Sequence, residues 1–136
     1  MANIRALNKD KYKISKYRFR ELHYFCLQYD EWRAAIKAAQ PLKGVQYSGV
    51  PSSSGLPGNP TMTVAIENAE YARKIAAVEA AAMAADPELY EYIIYAATHE
   101  DITFNYLKNQ KNIPCERDRY YNSRRKFYFQ LDRILK

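Results

Sequence analysis

Three features of the sequence predict an all-α fold. Apolar residues recur at steps of three and four along most of the chain, the period of a helix with one buried face. Ten alanines lie from Val64 to Ala85, and alanine is the strongest helix former. No segment reads as a strand. A chain of 136 residues has room for one small helical domain with its own core, or for such a domain plus an arm. The expected organisation is a basic arm and N-terminal helical segment over 1–40, a linker over 41–60, and a helical domain over 61–136.

The elements follow in order. Ser15 is placed to cap a helix whose buried stripe is Leu22, Phe25, Cys26, Tyr29, Trp32 and Ile36. Within it, Tyr29-Asp30-Glu31-Trp32 looks like a helix end followed by a new cap, so one bent helix and two short ones are both compatible with the pattern. All four glycines (Gly44, Gly49, Gly55, Gly58) and four of the six prolines (Pro41, Pro51, Pro57, Pro60) fall between 41 and 60, with Ser48, Ser52, Ser53 and Ser54. That composition has little to bury and opposes regular structure, as a linker does.

Thr61 or Thr63 then opens a long helix to Ala85, with Ile75, Val78 and Ala82 as a narrow apolar seam for an internal contact or for a homodimer. Asp86-Pro87-Glu88 is a start signal, with a capping Asp, a Pro in the first turn and an acid beside the positive end of the helix dipole. The helix it opens runs to about Thr98, with Leu89, Tyr92, Ile93 and Ala96 inward. After the break at His99-Glu100-Asp101, Thr103 caps a short helix that ends near Asn109. Asn112 tolerates the positive φ of a turn, and Pro114 forces Ile113 out of helical geometry, so the last helix starts at about Cys115. On that helix Tyr120, Phe127, Leu131 and Ile134 share a face expected to pack on the 86–98 and 103–109 helices.

Charge narrows the function class. The net +6 is split into +6 over residues 1–20, −5 over 21–110 and +5 over 111–136. Basic ends around an acidic middle attract a polyanion, either nucleic acid or an anionic surface. A short helix, a turn and a longer basic helix with one aromatic face match what a helix-turn-helix needs to enter a major groove, so double-stranded DNA is the expected partner. Arg117, Arg119, Asn122 and Ser123 are the candidate base contacts, since Arg pairs bidentately with guanine and Asn with adenine. Arg124, Arg125 and Lys126 are the candidate phosphate contacts. Lys9, Lys11, Lys13, Lys16 and Arg18 supply further phosphate contacts as an arm. Glu116 and Asp118 oppose this by placing negative charge where DNA would lie.

Other classes find little support. There is no apolar run of membrane-spanning length, and the N-terminus leads into lysines instead of a secretion core, so a cytoplasmic location is expected. Cys26 and Cys115 are expected as reduced thiols, with Cys26 in the core. His23, Cys26, His99 and Cys115 lack the paired spacing of a zinc module. Glu88, Glu91, Glu100 and Asp101 flank helix starts, where dipole capping accounts for them. No phosphate loop or nucleophile elbow occurs. Neither an enzyme nor a cofactor is expected. Of the thirteen tyrosines, most sit beside Leu, Ile or Phe at helical spacing, as core residues do.

Two stretches also carry a resemblance. Ile113-Pro114-Cys115-Glu116-Arg117-Asp118-Arg119-Tyr120-Tyr121 with Arg124-Arg125-Lys126-Phe127-Tyr128, and Tyr17-Arg18-Phe19-Arg20-Glu21-Leu22-His23-Tyr24-Phe25-Cys26-Leu27-Gln28-Tyr29, resemble small phage and prophage proteins of the ArpU/RinA-like group. The likeness covers 14–37 and 86–135. It implies a late-gene transcriptional regulator in a bacterial host cell, with a helix-turn-helix similar to the promoter-reading part of sigma factors and with host RNA polymerase as a further partner. The turn here is longer than in sigma-type motifs. Two other readings remain open at this stage: the small DNA-recognition subunit of a phage packaging terminase, and a protein-interaction module that inhibits a host nucleic-acid enzyme.

Overall fold

The computed structural model describes residues 12, 14–39 and 60–136. The 41–60 linker, apart from Pro60, and the lysines at 9, 11 and 13 lie outside the described residues. Six α-helices and no strand occur among those described: α1 (Lys16–Leu27), α2 (Tyr29–Ala39), α3 (Pro60–Ala85), α4 (Tyr90–Thr98), α5 (Phe104–Lys111) and α6 (Arg117–Leu135).

Local chemistry accounts for most of the boundaries. Ser15 caps α1, its hydroxyl accepting from the Arg18 N–H at 3.1 Å. α1 and α2 are two helices separated by the single residue Gln28, whose N–H donates to the Phe25 carbonyl at 3.2 Å and whose carbonyl accepts from the Trp32 N–H at 3.0 Å. Asp30 and Glu31 stand in the first turn of α2 and Lys37 in its last, matching the dipole at both ends. Pro60 is the first residue of α3, where its fixed φ suits a helix start and no N–H is needed.

The Asp86 carboxylate accepts from the Glu88 and Leu89 N–H groups, organising a turn at 87–89 before α4 begins at Tyr90. Thr103 caps α5 by accepting from the Tyr106 N–H at 3.1 Å. Asn112 then takes φ 55°, and the N–H groups of Asn112 and Ile113 both reach the Leu107 carbonyl. Ile113 is buried behind this turn and anchors it. Compared with expectation, α5 runs on to Lys111 and α6 begins later, at Arg117.

Holding a left-handed residue here has a measurable consequence. Asn112→Gly should leave stability unchanged or slightly higher, whereas Asn112→Val should cost about 1–2 kcal/mol, because a branched Cβ crowds the carbonyl at positive φ. Urea melts of the two variants distinguish this from a turn that relaxes, in which case both would unfold together with the wild type.

One core joins the N-terminal helices to the rest. Phe19, Leu22, Cys26, Tyr29 and Trp32 are buried with Val78, Ala81, Ala82, Leu89, Ile93, Leu107, Tyr120, Phe127, Tyr128 and Leu131. α3 is the centre, packed against α2, α4 and α6, with α6 its most extensive partner. This corrects the expected placement of α6 chiefly on α4 and α5. Ala77, Ala81, Ala82 and Ala85 line the buried side of α3, and side chains that small let an aromatic helix approach closely. α5 meets α6 through Phe104 and Tyr120, with ring centroids 5.8 Å apart.

Two further corrections concern inward faces. On α6, Tyr120, Phe127 and Leu131 are buried as expected, but Ile134 is 44% exposed, while Ser123, Tyr128 and Asp132 are buried instead. The last turn of the helix lies mostly outside the core, and its burial tracks α1 and α3, which a period cannot reveal. On α4 the buried residues are Ile93, Ala97 and Thr98, with Leu89 buried just before it and Tyr92 and Ala96 at the margin. Both cysteines are free thiols, and burial pushes the Cys26 thiol far up.

Candidate nucleic-acid interface

Residues 16–20, which hold the described basic residues of the N-terminal segment, open a helix that packs on the basic C-terminal one. α1 packs on α6 through Phe19 and Tyr128, 4.6 Å between ring centroids, while Arg124 lies over both rings at 5.2 and 5.5 Å. The Arg18 Nε donates to Asp132 Oδ1 at 2.6 Å, and Lys136 reaches the other oxygen at 3.2 Å. Burial by itself would raise the Asp132 carboxyl, but the hydrogen bonds from Arg18 and Lys136 outweigh it and hold the group below the usual range. Arg18 is correspondingly raised, chiefly by its bond to Asp132. A buried carboxylate thus fastens α1 to α6 and engages the half-exposed Arg18.

The first half of α6 is pinned as well. Arg119 clamps Asp86 through Nε and Nη2 at 3.2 and 3.1 Å and Glu88 through Nη1 at 2.9 Å. Ser123 is only 7% exposed and donates to Asp86 Oδ2 at 2.9 Å. Burial would push the Asp86 carboxyl up, and the Arg119 and Ser123 bonds bring it below the usual range. Asp86 therefore does two jobs: it organises the start of α4 and holds α6 against it. Of the four residues predicted to reach bases, Ser123 is removed from the surface by burial, and Arg119 is engaged by two carboxylates.

Arg117 and Asn122 are exposed, and neither is paired with a carboxylate among the described residues. Arg117 donates to Asn105 Oδ1 at 3.1 Å and lies over the Phe104 ring at 5.4 Å. Asn122 accepts from Arg125 Nη1 at 2.9 Å. Among the phosphate candidates, Lys16 and Lys126 are exposed and pair with no carboxylate among the described residues, Arg125 is half-buried, and Arg124 lies over the α1–α6 aromatic rings.

Sequence reasoning passed over the outer side of α1. Tyr17 and Tyr24 are exposed, Arg20 lies over Tyr17 at 5.5 Å, and the His23 ring stands 5.6 Å from Tyr24. The Arg20 Nε and His23 Nδ1 atoms are buried without a hydrogen-bond partner among the described residues. The His23 ring is lowered mainly by burial and then by the nearby Arg124 charge. The interleaving of aromatic and basic residues at 16–24 was the available signal.

Among the described residues no three His, Cys, Asp or Glu side chains gather closely enough to hold a metal ion. No helix among them is long and apolar enough to cross a membrane. Comparison with protein-family models, with curated proteins and with solved structures finds no match to this chain.

Proposed function

We propose that this protein binds double-stranded DNA as a sequence-specific transcriptional regulator of phage or prophage origin, with α5 and α6 as a helix-turn-helix and the basic surface of α1 and α6 against the phosphates. The observation that carries the reading is the packing of α1 on α6, which brings together two helices that carry basic residues more than a hundred positions apart. A concentrated positive surface is the electrostatic footprint of a nucleic-acid binder. The ArpU/RinA-like resemblance of the same two stretches points the same way, and brings host RNA polymerase as a second partner.

Burial of Ser123 and the ion pairs of Arg119 narrow the contact set. Arg117 and Asn122 are the base-reading candidates, and Lys16, Arg125 and Lys126 the phosphate contacts. Arg119 and Ser123 act by holding α6 in position, and Arg124 contributes its charge from the aromatic seam.

Binding to labelled duplexes tests this directly. Affinity should fall by about three decades between 50 and 200 mM salt if roughly six phosphates are neutralised. Lys126→Ala should weaken all duplexes alike, because phosphates carry no sequence information. Arg117→Ala should lose about 1–3 kcal/mol mainly on a preferred site selected from a random library. A flat salt response, with both folded variants binding as the wild type does, sinks the proposal.

A further inference from the structure

α3 has 26 residues, about 39 Å of helix at 1.5 Å per residue, and the core uses only one side of it. The seam expected for an internal or a dimer contact turned inward: Val78 and Ala82 are buried, with Ile75 packed at the core margin. A second series remains on the outside. Met62, Ile66, Ala69, Arg73, Ala76 and Ala80 recur at alternating steps of four and three, and all are exposed among the described residues, as is Met83 one step further on. Met62 and Ile66 are 63% and 64% exposed. Alternating steps of four and three are the spacing of a coiled-coil seam, in which a long apolar stripe faces another helix.

We propose that this stripe is the contact with a second copy of this chain, the two α3 helices lying antiparallel with Ile66 opposite Ala76 of the other copy. The pattern is complementary to itself in that register. Met62 then faces Ala80, Ile66 faces Ala76, and Ala69 faces Arg73, so each layer joins one long side chain to one alanine and the helix spacing stays even. Parallel pairing in register would set Met62 on Met62, alanine on alanine, and Arg73 on Arg73, with uneven layers and like charges opposed.

Charge supports the same choice. Arg73 is ion-paired with Glu70 of its own helix on the exposed surface, and Glu70 adjoins Ala69. An antiparallel neighbour therefore brings its Arg73 beside Glu70, where the pair can be exchanged between copies. A single charged residue in an apolar seam specifies register at some cost in stability, and a two-fold interface of this kind is closed, giving a dimer and not a filament.

The test is made on the full chain without nucleic acid, so its outcome is independent of the DNA-binding reading. Sedimentation at high micromolar concentration should give twice the 15.9 kDa chain mass. Ala76→Glu alters an exposed position, and should halve that mass while leaving the thermal melt in place. In a Cys115→Ser background, Met62→Cys combined with Ala80→Cys should give a covalent dimer on oxidation. The two sites are about 27 Å apart on one helix, too far for a bond within a chain. Met62→Cys alone should give little cross-linking. A monomeric wild type, a dimer that survives Ala76→Glu, or a Met62→Cys variant that cross-links as fully as the pair would each overturn the proposal.

Discussion

Phe127→Ala should lower folding stability by about 3–5 kcal/mol, the range for opening an aromatic-sized cavity in a packed core. Phe127 is 0% exposed and makes an edge contact with Tyr128, 4.9 Å between centroids. No small rearrangement fills that space, because Tyr128 is itself fully buried against Phe19. A loss of this size is a large part of the total stability of a domain this small, so the proposed DNA binding should disappear together with the fold. Ile134→Ala is the informative partner experiment. Ile134 belongs to the same sequence stripe but is 44% exposed, and its truncation should stay within about 1 kcal/mol. Equal losses in denaturant melts would mean that the end of α6 is packed as tightly as its middle.

Asp86→Ala should be the most damaging substitution of a polar residue, at about 2–4 kcal/mol. It removes the acceptor for the Glu88 and Leu89 N–H groups, a capping loss of about 1 kcal/mol. It also leaves the buried Ser123 hydroxyl without its acceptor, which costs a further 1–3 kcal/mol or so. The Arg119 arm adds little, since its side chain is 45% exposed and such a pair is screened by solvent.

Asp86 also predicts a pH dependence. Its carboxyl is lowered in the folded state from the usual 3.8, so the unfolded chain takes up the proton first. The stability it contributes is therefore complete well above that value and is lost as pH falls through the lower, folded value. Asp132 is lowered in the same sense, and both should make the melting temperature drop steeply in acid. In Asp86→Ala the drop should be shallower, leaving the part due to Asp132. Melts across the acid range decide it: a variant whose acid slope equals that of the wild type would show that Asp86 gains nothing from its partners.

Local rules carried the element order a long way. Ser15, Thr103 and Asn112 do what their side chains predict, because capping and positive φ depend only on residues a few positions apart. The break between α1 and α2, ambiguous in the pattern, is settled by one residue, Gln28. The candidate site was harder to read. Arg117, Arg119, Asn122 and Ser123 look alike on a helical projection, yet Asp86, more than thirty residues earlier, engages Arg119 and the buried Ser123 and neither of the other two.

The sequence by itself determined the helical class, the caps and turns, the core membership of Leu22, Cys26, Tyr29, Trp32, Tyr120, Phe127 and Leu131, and the basic character of both ends. Each of these follows from short-range spacing or from composition. Only the tertiary structure decided that α6 rests chiefly on the alanines of α3, that Arg18 and Asp132 join α1 to α6, and that the second stripe of α3 faces outward. The physical reason is common to all three. A helix period shows which residues share a face, but two amphipathic faces of equal period are interchangeable in sequence. The choice between them is made by shape and charge complementarity across distances that no local pattern records.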